Sequence, residues 1–193
     1  AMIRSDGTVI MPGDFIEILE NAGLIHELDM YMWELAVKKL SEWKGTDKEN
    51  LTISVNVSAK DFYSIDVFDV VTKLVDKYDV DSRMLRLEIT ETALLVEPEK
   101  SNAIVSKLRK EGFLVEIDDF GKGNSSLNLL KHIKADVLKI DMCFLHEIRE
   151  VERNRVILGS LIGLADSLGM DVITEGVETE QQLHVLSDMG CRH

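Results

Sequence analysis

The stretch FLVEIDDFGKGNSSLNLLKHIKADVLKID, residues 113–141, reads as a strand, a helix and a second strand. FLVEI (113–117) and DVLKI (136–140) are short β-rich runs, and the residues from Asn124 to Ile133 place apolar side chains at helical spacing. Two strands joined through a helix make a parallel βαβ unit. The same alternation continues outward. Upstream lie the strands LTISVNV (51–57) and MLRLEI (84–89), and downstream lies MDVIT (170–174). Helical periodicity marks 28–43 through Leu28, Met32, Leu35, Ala36, Leu40 and Trp43, and 67–78 through Val67, Val70, Val71, Leu74, Val75 and Tyr78. Further helices are predicted from about Glu97 to Lys110, Glu150 to Leu168 and Glu178 to Met189. Gly112, Gly169 and Gly190 each follow a helix end, where a left-handed residue commonly terminates the helix.

The residues closing successive strands are Asn56, Glu88, Asp118, Lys139 and Glu175, at intervals of 32, 30, 21 and 36 residues. Eight units of roughly 30 residues would need about 240, near the length of a (β/α)8 barrel. With 193 residues the chain is one or two units short. An open doubly wound sheet and a barrel lacking pieces both satisfy the spacing. Only two prolines occur and no low-complexity linker divides residues 1–193, so a single domain is expected.

Composition narrows the functions. The 22 Lys+Arg against 35 Asp+Glu give a formal charge of −13, which argues against a nucleic-acid polymer as partner. No apolar run approaches the roughly 20 residues of a membrane helix, and the best candidate, Val156 to Ala165, is interrupted by Gly159, Ser160 and Gly163. No membrane contact by this domain and no signal peptide are expected. Cys143 and Cys191 are too few to staple such a domain, which fits a reduced, cytoplasmic setting.

Chemistry concentrates at the strand ends. In a parallel barrel these ends converge on one mouth, where catalytic groups sit. Here that edge carries Asn56, Glu88, Asp118, Asp119, Lys139, Asp141, Glu175 and Glu178. Polar residues also follow strands simply because chains turn there, but five successive strands ending in carboxylate, amide or amine is a stronger pattern. The adjacent Asp118 and Asp119 repel, and burying either uncompensated would cost several kcal/mol, on the order of an unpaired buried charge. A bound cation relieves both problems. All the donors are oxygens, which favours Mg²⁺ or Mn²⁺, with Ca²⁺ as a competitor, over zinc. Several carboxylates can hold two ions with one bridging, the arrangement suited to in-line attack on a phosphodiester. Lys139 would then neutralise phosphate charge or position water, or else serve as an ordinary ion-pair partner to these acids. The five histidines (His26, His132, His146, His184, His193) lack metal-ligand spacing, Trp33 and Trp43 read as core, and GKGNSS (121–126) reads as a flexible loop beside the site.

The motifs IMPGDFIEILENAGLI (10–25), SVNVSA (54–59), LEITET (87–92), IDDFGKGNSSL (117–127), LKID (138–141) and ITEGVETEQQ (173–182) together resemble the EAL-domain phosphodiesterases that hydrolyse cyclic di-GMP. The likeness runs from about Ile10 to Cys191, in the family's order and spacing. It implies a modified (β/α)8, TIM-like barrel with one antiparallel strand. It further implies that Asn56, Glu88 and Asp118 ligate one metal and Asp119 and Glu175 the second, with Asp118 bridging. Lys139 would orient or activate the hydrolytic water, Glu178 would be a further active-site acid, Glu91 would steady the loop after DDFG, and Asp141 would contact substrate. The implied reaction opens one phosphodiester bond of cyclic di-GMP to give linear pGpG. A homodimer and flanking sensory or GGDEF domains are the expected partners.

Three departures from the family accompany this likeness. The Glu-Ala-Leu segment, whose glutamate is a metal ligand in the family, is expected just before Met2. A Gln-Gly-containing strand and its helix are expected after GCRH (190–193). Lys122 and Asn124 stand where the family's loop has Thr and Tyr, which would weaken metal binding and dimer contacts. The alternative function is a degenerate member acting as a cyclic di-GMP sensor or protein-interaction module. The altered loop favours it, and the intact Asp118, Asp119 and Lys139 disfavour it. A Schiff-base aldolase using Lys139 is a poor fit, because surrounding carboxylates keep the amine protonated.

Overall fold

A computed structural model describes residues 2–3, 6–121, 127–141 and 151–191. Lys122, Asn124, Cys143, His146 and His193 lie outside the described residues. The core is a five-stranded sheet of β3 (Ile53–Val57), β4 (Leu85–Thr90), β5 (Leu114–Phe120), β6 (Val137–Asp141) and β7 (Asp171–Glu175), in that spatial order. Every neighbouring pair is parallel. The antiparallel pairing described is between β1 (Met2–Ile3) and β2 (Val9–Ile10), which form a separate two-stranded sheet. The architecture is α/β, a parallel sheet with helical crossovers; the spacing of strand ends allowed either an open sheet or a barrel, and the TIM-like barrel is what the family resemblance implied.

Helices α1 (Pro12–Ala22) and α2 (Ile25–Trp43) precede β3. Each crossover between strands is helical: α3 (Asp61–Ser64) and α4 (Val67–Lys77), then α5 (Glu91–Val96) and α6 (Pro98–Lys110), then α7 (Leu127–His132), then α8 (Val151–Ser167). Helix α9 (Glu180–Asp188) follows β7. No helix among the described residues is long and apolar enough to cross a membrane. The predicted strands and helices fall within a few residues of these bounds. The elements without a predicted counterpart are β1, β2, α3, α5 and α1, the last of which has no fully buried residue. Helix α1 starts at Pro12, whose missing N–H costs nothing at a first helical turn, and ends at Gly23 in the left-handed conformation (φ +72°).

Alternation along the strands separates two faces. Val55, Val57, Leu85, Leu87, Ile89, Val115, Ile117, Leu138 and Ile140 are buried in the core with the helices. Burying each such side chain contributes about 1.5–3 kcal/mol. The other face carries Ser54, Asn56, Arg86, Glu88, Glu116, Asp118 and Lys139, a polar series that a helix-covered face would not tolerate.

The two ends of the sheet also differ. At the N-terminal end, Asp136 accepts from Arg109 Nε (2.9 Å) and from the Val115 N–H (2.9 Å), tying α6, β5 and β6 together. Nearby, Gly112 turns α6 into β5 with φ +100°, and a Cβ there would come within 2.7 Å of Ser82 Oγ. These contacts hold the fold; the opposite end carries the acids.

Candidate active site

The site grows from the C-terminal ends of β4, β5, β6 and β7. Lys139 stands on that face at the centre of β6 and is only 7% exposed. Its Nζ lies 2.9 Å from Glu88 Oε1 on β4, 3.1 Å from Asp118 Oδ1 on β5 and 2.7 Å from Glu175 Oε1 on β7. One ammonium thus draws together acids from three other strands. Burial alone pushes Lys139 towards the neutral amine. Hydrogen bonds with Glu175 and Glu88, the close approach of Asp118 and the charge of Glu88 outweigh that and hold its pKa well above the usual lysine range. The amine is therefore a fixed cation and donor, which removes it as a Schiff-base nucleophile or general base.

The backbone of β5 is shaped for this arrangement. Ile117 pairs with Leu138 and Phe120 with Ile140, so β5 carries one more residue than β6 over this interval. The extra residue forms a bulge, with Asp119 in the left-handed region at φ +56°. Aspartate tolerates that conformation better than most residues, though a cost remains. The bulge lets consecutive carboxylates stand at the end of one strand, which a regular pleat would send to opposite faces.

The predicted residues are only partly brought together. Glu88, Asp118, Glu175 and Lys139 converge. Asn56 pairs in register with Glu88 across β3 and β4, and its carbonyl accepts from the buried Trp33 Nε1 at 2.8 Å. Asp141 pairs in register with Glu175 at the ends of β6 and β7. Glu91 is the first residue of α5, directly after β4, and is 6% exposed. The segment it is expected to steady, Lys122 to Ser126, lies outside the described residues. Glu178 is exposed on the turn after β7, where its N–H donates to Gln182 Oε1 in the capping arrangement of α9.

Sequence reasoning missed the layer beneath. Arg86 and Glu116 stand two residues before Glu88 and Asp118 on the same face. Arg86 Nη1 donates to Glu116 Oε1 at 2.8 Å, and Ser54 Oγ to Glu116 Oε2 at 3.3 Å. Glu116 is 1% exposed. Strand alternation could have found the pair, since each adds a charge to an otherwise apolar run.

The donor set suits a hard divalent cation. Around Lys139 three carboxylates face one ammonium, so negative charge is left over. Asp118 Oδ1 is buried and, although 3.1 Å from Lys139 Nζ, has no well-directed hydrogen bond. Among the described residues the acids are gathered about the ammonium and no three of them converge at metal-ligand spacing. The chemistry is that of oxygen ligands, with an unfilled acceptor at the centre.

Comparison with known proteins agrees with this geometry. The EAL domain profile matches residues 2–193. The signaling protein YkoW of Bacillus subtilis (strain 168) is 34% identical over 194 residues, covering 100% of this chain and 24% of that protein. The bifunctional diguanylate cyclase/cyclic di-GMP phosphodiesterase MucR of Pseudomonas aeruginosa is 32% identical over 183 residues, covering 95% of this chain and 27% of that one. The chain therefore spans about a quarter of the length of these curated relatives. The solved structure of the PaMucR phosphodiesterase in complex with c-di-GMP superposes with a TM-score of 0.87 at 31% identity, covering 97% of this chain and 76% of that chain. With a profile matched from Met2 to the last residue, and the strand-end acids of that reading gathered about Lys139, the chain belongs to the EAL domain family.

Proposed function

We propose that this chain is the phosphodiesterase domain of a cyclic di-GMP signalling protein, and that it hydrolyses cyclic di-GMP to linear pGpG. The observation that carries the reading is Lys139 held by Glu88, Asp118 and Glu175, from four parallel strands at one end of the sheet. Relatives named as cyclic di-GMP phosphodiesterases, and a c-di-GMP complex of one of them, support the substrate.

In the reaction, water adds to phosphorus, one P–O bond to ribose breaks, and the products are a terminal phosphate and a free hydroxyl. Lys139, fixed as an ammonium, donates towards the phosphoryl oxygens or the attacking water and cannot take the proton from it. Its contacts with three carboxylates fix the position of that donor within the site. Glu178, on the turn after β7, is a candidate to meet the nucleotide once it is bound, and Asp141 is a candidate substrate contact. Glu91 is assigned to steadying the loop after DDFG.

Asn56, Glu88 and Asp118 would hold one divalent cation, and Asp118, Asp119 and Glu175 a second, with Mg²⁺ or Mn²⁺ the best match to the donors. Such ions supply Lewis-acid charge at the phosphate. Ca²⁺, with its longer and looser coordination, is the expected inhibitory competitor. Residues 1–193 are assigned to one EAL-type domain in a cytoplasmic setting, with a homodimer and flanking sensory or GGDEF domains as its partners. Turnover of cyclic di-GMP by the full-length protein, followed as pGpG with Mg²⁺ or Mn²⁺, tests the reading. Binding of cyclic di-GMP without any pGpG would instead establish a sensor.

A further inference from the structure

A second group of acids lies on the helical side of β3, away from Lys139. Asp61, the first residue of α3, is fully buried. Its Oδ2 accepts the Ser58 N–H at 2.6 Å, and its own N–H donates to Ser58 Oγ at 3.3 Å. Its Oδ1 is buried with no conventional donor. What meets Asp61 from α2 is another carboxyl, that of Asp29, in a side-chain hydrogen bond. Two ionised carboxylates cannot make such a bond, because neither carries a donor; one proton between them supplies it. The proton is shared by the pair, and the carboxyl that carries it donates its O–H to the other.

The place of this pair gives it consequence. Trp33 lies one helical turn beyond Asp29 on α2, is fully buried, and donates through Nε1 to the Asn56 carbonyl at 2.8 Å. Residues four apart share one helix face. The same face of α2 therefore grips the chain leaving β3 twice, at Asn56 through Trp33 and at Ser58 and Asp61 through Asp29. We propose that Asp29 and Asp61 share a single proton and that this pair is a positioning device for Asn56. Protonated, it clamps the end of β3 to α2; ionised, it repels and loosens that end. The inference rests on the reading of Asn56 as a site residue, but the clamp exists without substrate or cation.

The surrounding charges set its range. Burial first, then the charge of Asp61 and the contact with it, then Glu20 of α1, push Asp29 up to about 7, against a lowering by Ser58. Burial likewise raises Asp61, opposed by Ser58, by Asp29 and by the charge of His26 on α2. The proton belongs to the pair, so one titration is expected. Between the ordinary carboxylate range near pH 4 and about 7, the folded chain keeps a proton that the unfolded chain has lost. Stability from this pair is thus present at low pH, falls as pH rises across that window, and is flat above it.

The test uses the full chain carrying Trp43→Phe, so that Trp33 is the remaining indole, without metal or nucleotide. Trp33 emission should shift once with a midpoint near pH 7, and the melting temperature should fall from about pH 5 to 7. Asp29→Asn, whose amide donates to Asp61 at every pH, should lose both changes; Asp61→Asn serves if that variant does not fold. His26→Gln should keep them. In the full-length protein, cyclic di-GMP turnover relative to Asp29→Asn should fall about tenfold per pH unit above the midpoint. A flat Trp33 signal in the parent, a transition surviving in Asp29→Asn, or one abolished by His26→Gln would overturn the clamp. Turnover indifferent to a titrating clamp would overturn its positioning role. Complete absence of turnover beside an intact Trp33 titration would sink the proposed activity and leave the clamp standing.

Discussion

Replacing Lys139 by methionine removes the ammonium while keeping most of the bulk of its stem. Glu88, Asp118 and Glu175, now 2.7 to 3.1 Å from that nitrogen, would face one another with nothing between them. Removing one partner from a buried ion pair costs about 3–5 kcal/mol, because the other charge stays buried. The Glu175 side chain is 47% exposed, and water screens its share, whereas Glu88 and Asp118 are 16% and 15% exposed. We therefore place the cost at the low end, about 3 kcal/mol. For a domain of this size that is a fall of roughly 6–12 °C in melting temperature. The assay is thermal unfolding by circular dichroism, in chelator and then in excess Mn²⁺. In chelator the full deficit should appear. With cation at 100 times its dissociation constant, binding adds about 2.7 kcal/mol, and more to the variant, where no ammonium competes for the carboxylates. The gap should narrow while hydrolysis stays lost. A variant melting with the parent in chelator would refute the reasoning, since the acids would then not depend on the ammonium that gathers them.

Asp118→Asn should abolish pGpG formation by the full-length protein yet leave the metal-free fold as stable or more so, because a buried oxygen without a good donor becomes neutral; paired turnover and melting measurements check both halves. Glu116→Ala strands Arg86 and should cost about 3–5 kcal/mol by denaturant unfolding, while Arg86→Met with Glu116→Leu should be close to neutral. Asp119→Gly should stabilise the metal-free chain by about 0.5–1 kcal/mol, since glycine accepts φ +56° without strain, and should lose turnover with the carboxylate. A destabilised Asp119→Gly in the same melts would show that the side chain's contacts matter more than its backbone.

The strand ends were legible because parallel strands put their closing residues on one edge, so Asn56, Glu88, Asp118, Lys139 and Glu175 could be lined up by counting. Which of them meet could not be read that way. Alternation assigns a face, but register and irregularity choose the neighbour, and the bulge between Ile117 and Phe120 resets both at the most acidic point of the chain. Helix α1 could have been read and was not: Phe15, Ile16, Leu19 and Ala22 stand at helical spacing, although none of its residues is fully buried and Ile16 and Ile18 are exposed.

Trp33 and Asp61 mark a different limit. A buried tryptophan and a helix-starting aspartate have sound structural readings, and both hold here: Trp33 is in the core, and Asp61 binds the Ser58 N–H. Their added role depends on partners far away in sequence, the Asn56 carbonyl for one and Asp29 for the other. The same dependence explains why the acids gather about Lys139. A count of charges along the chain shows an excess of carboxylate, but only the fold shows that one ammonium holds three of them and leaves Asp118 Oδ1 without a matching donor. On the proposed reading, an active site that takes up cations cannot neutralise itself completely: the charge that Lys139 leaves unbalanced would give a divalent ion its place, while the bonds it does make hold Glu88 and Asp118 together in a largely buried position.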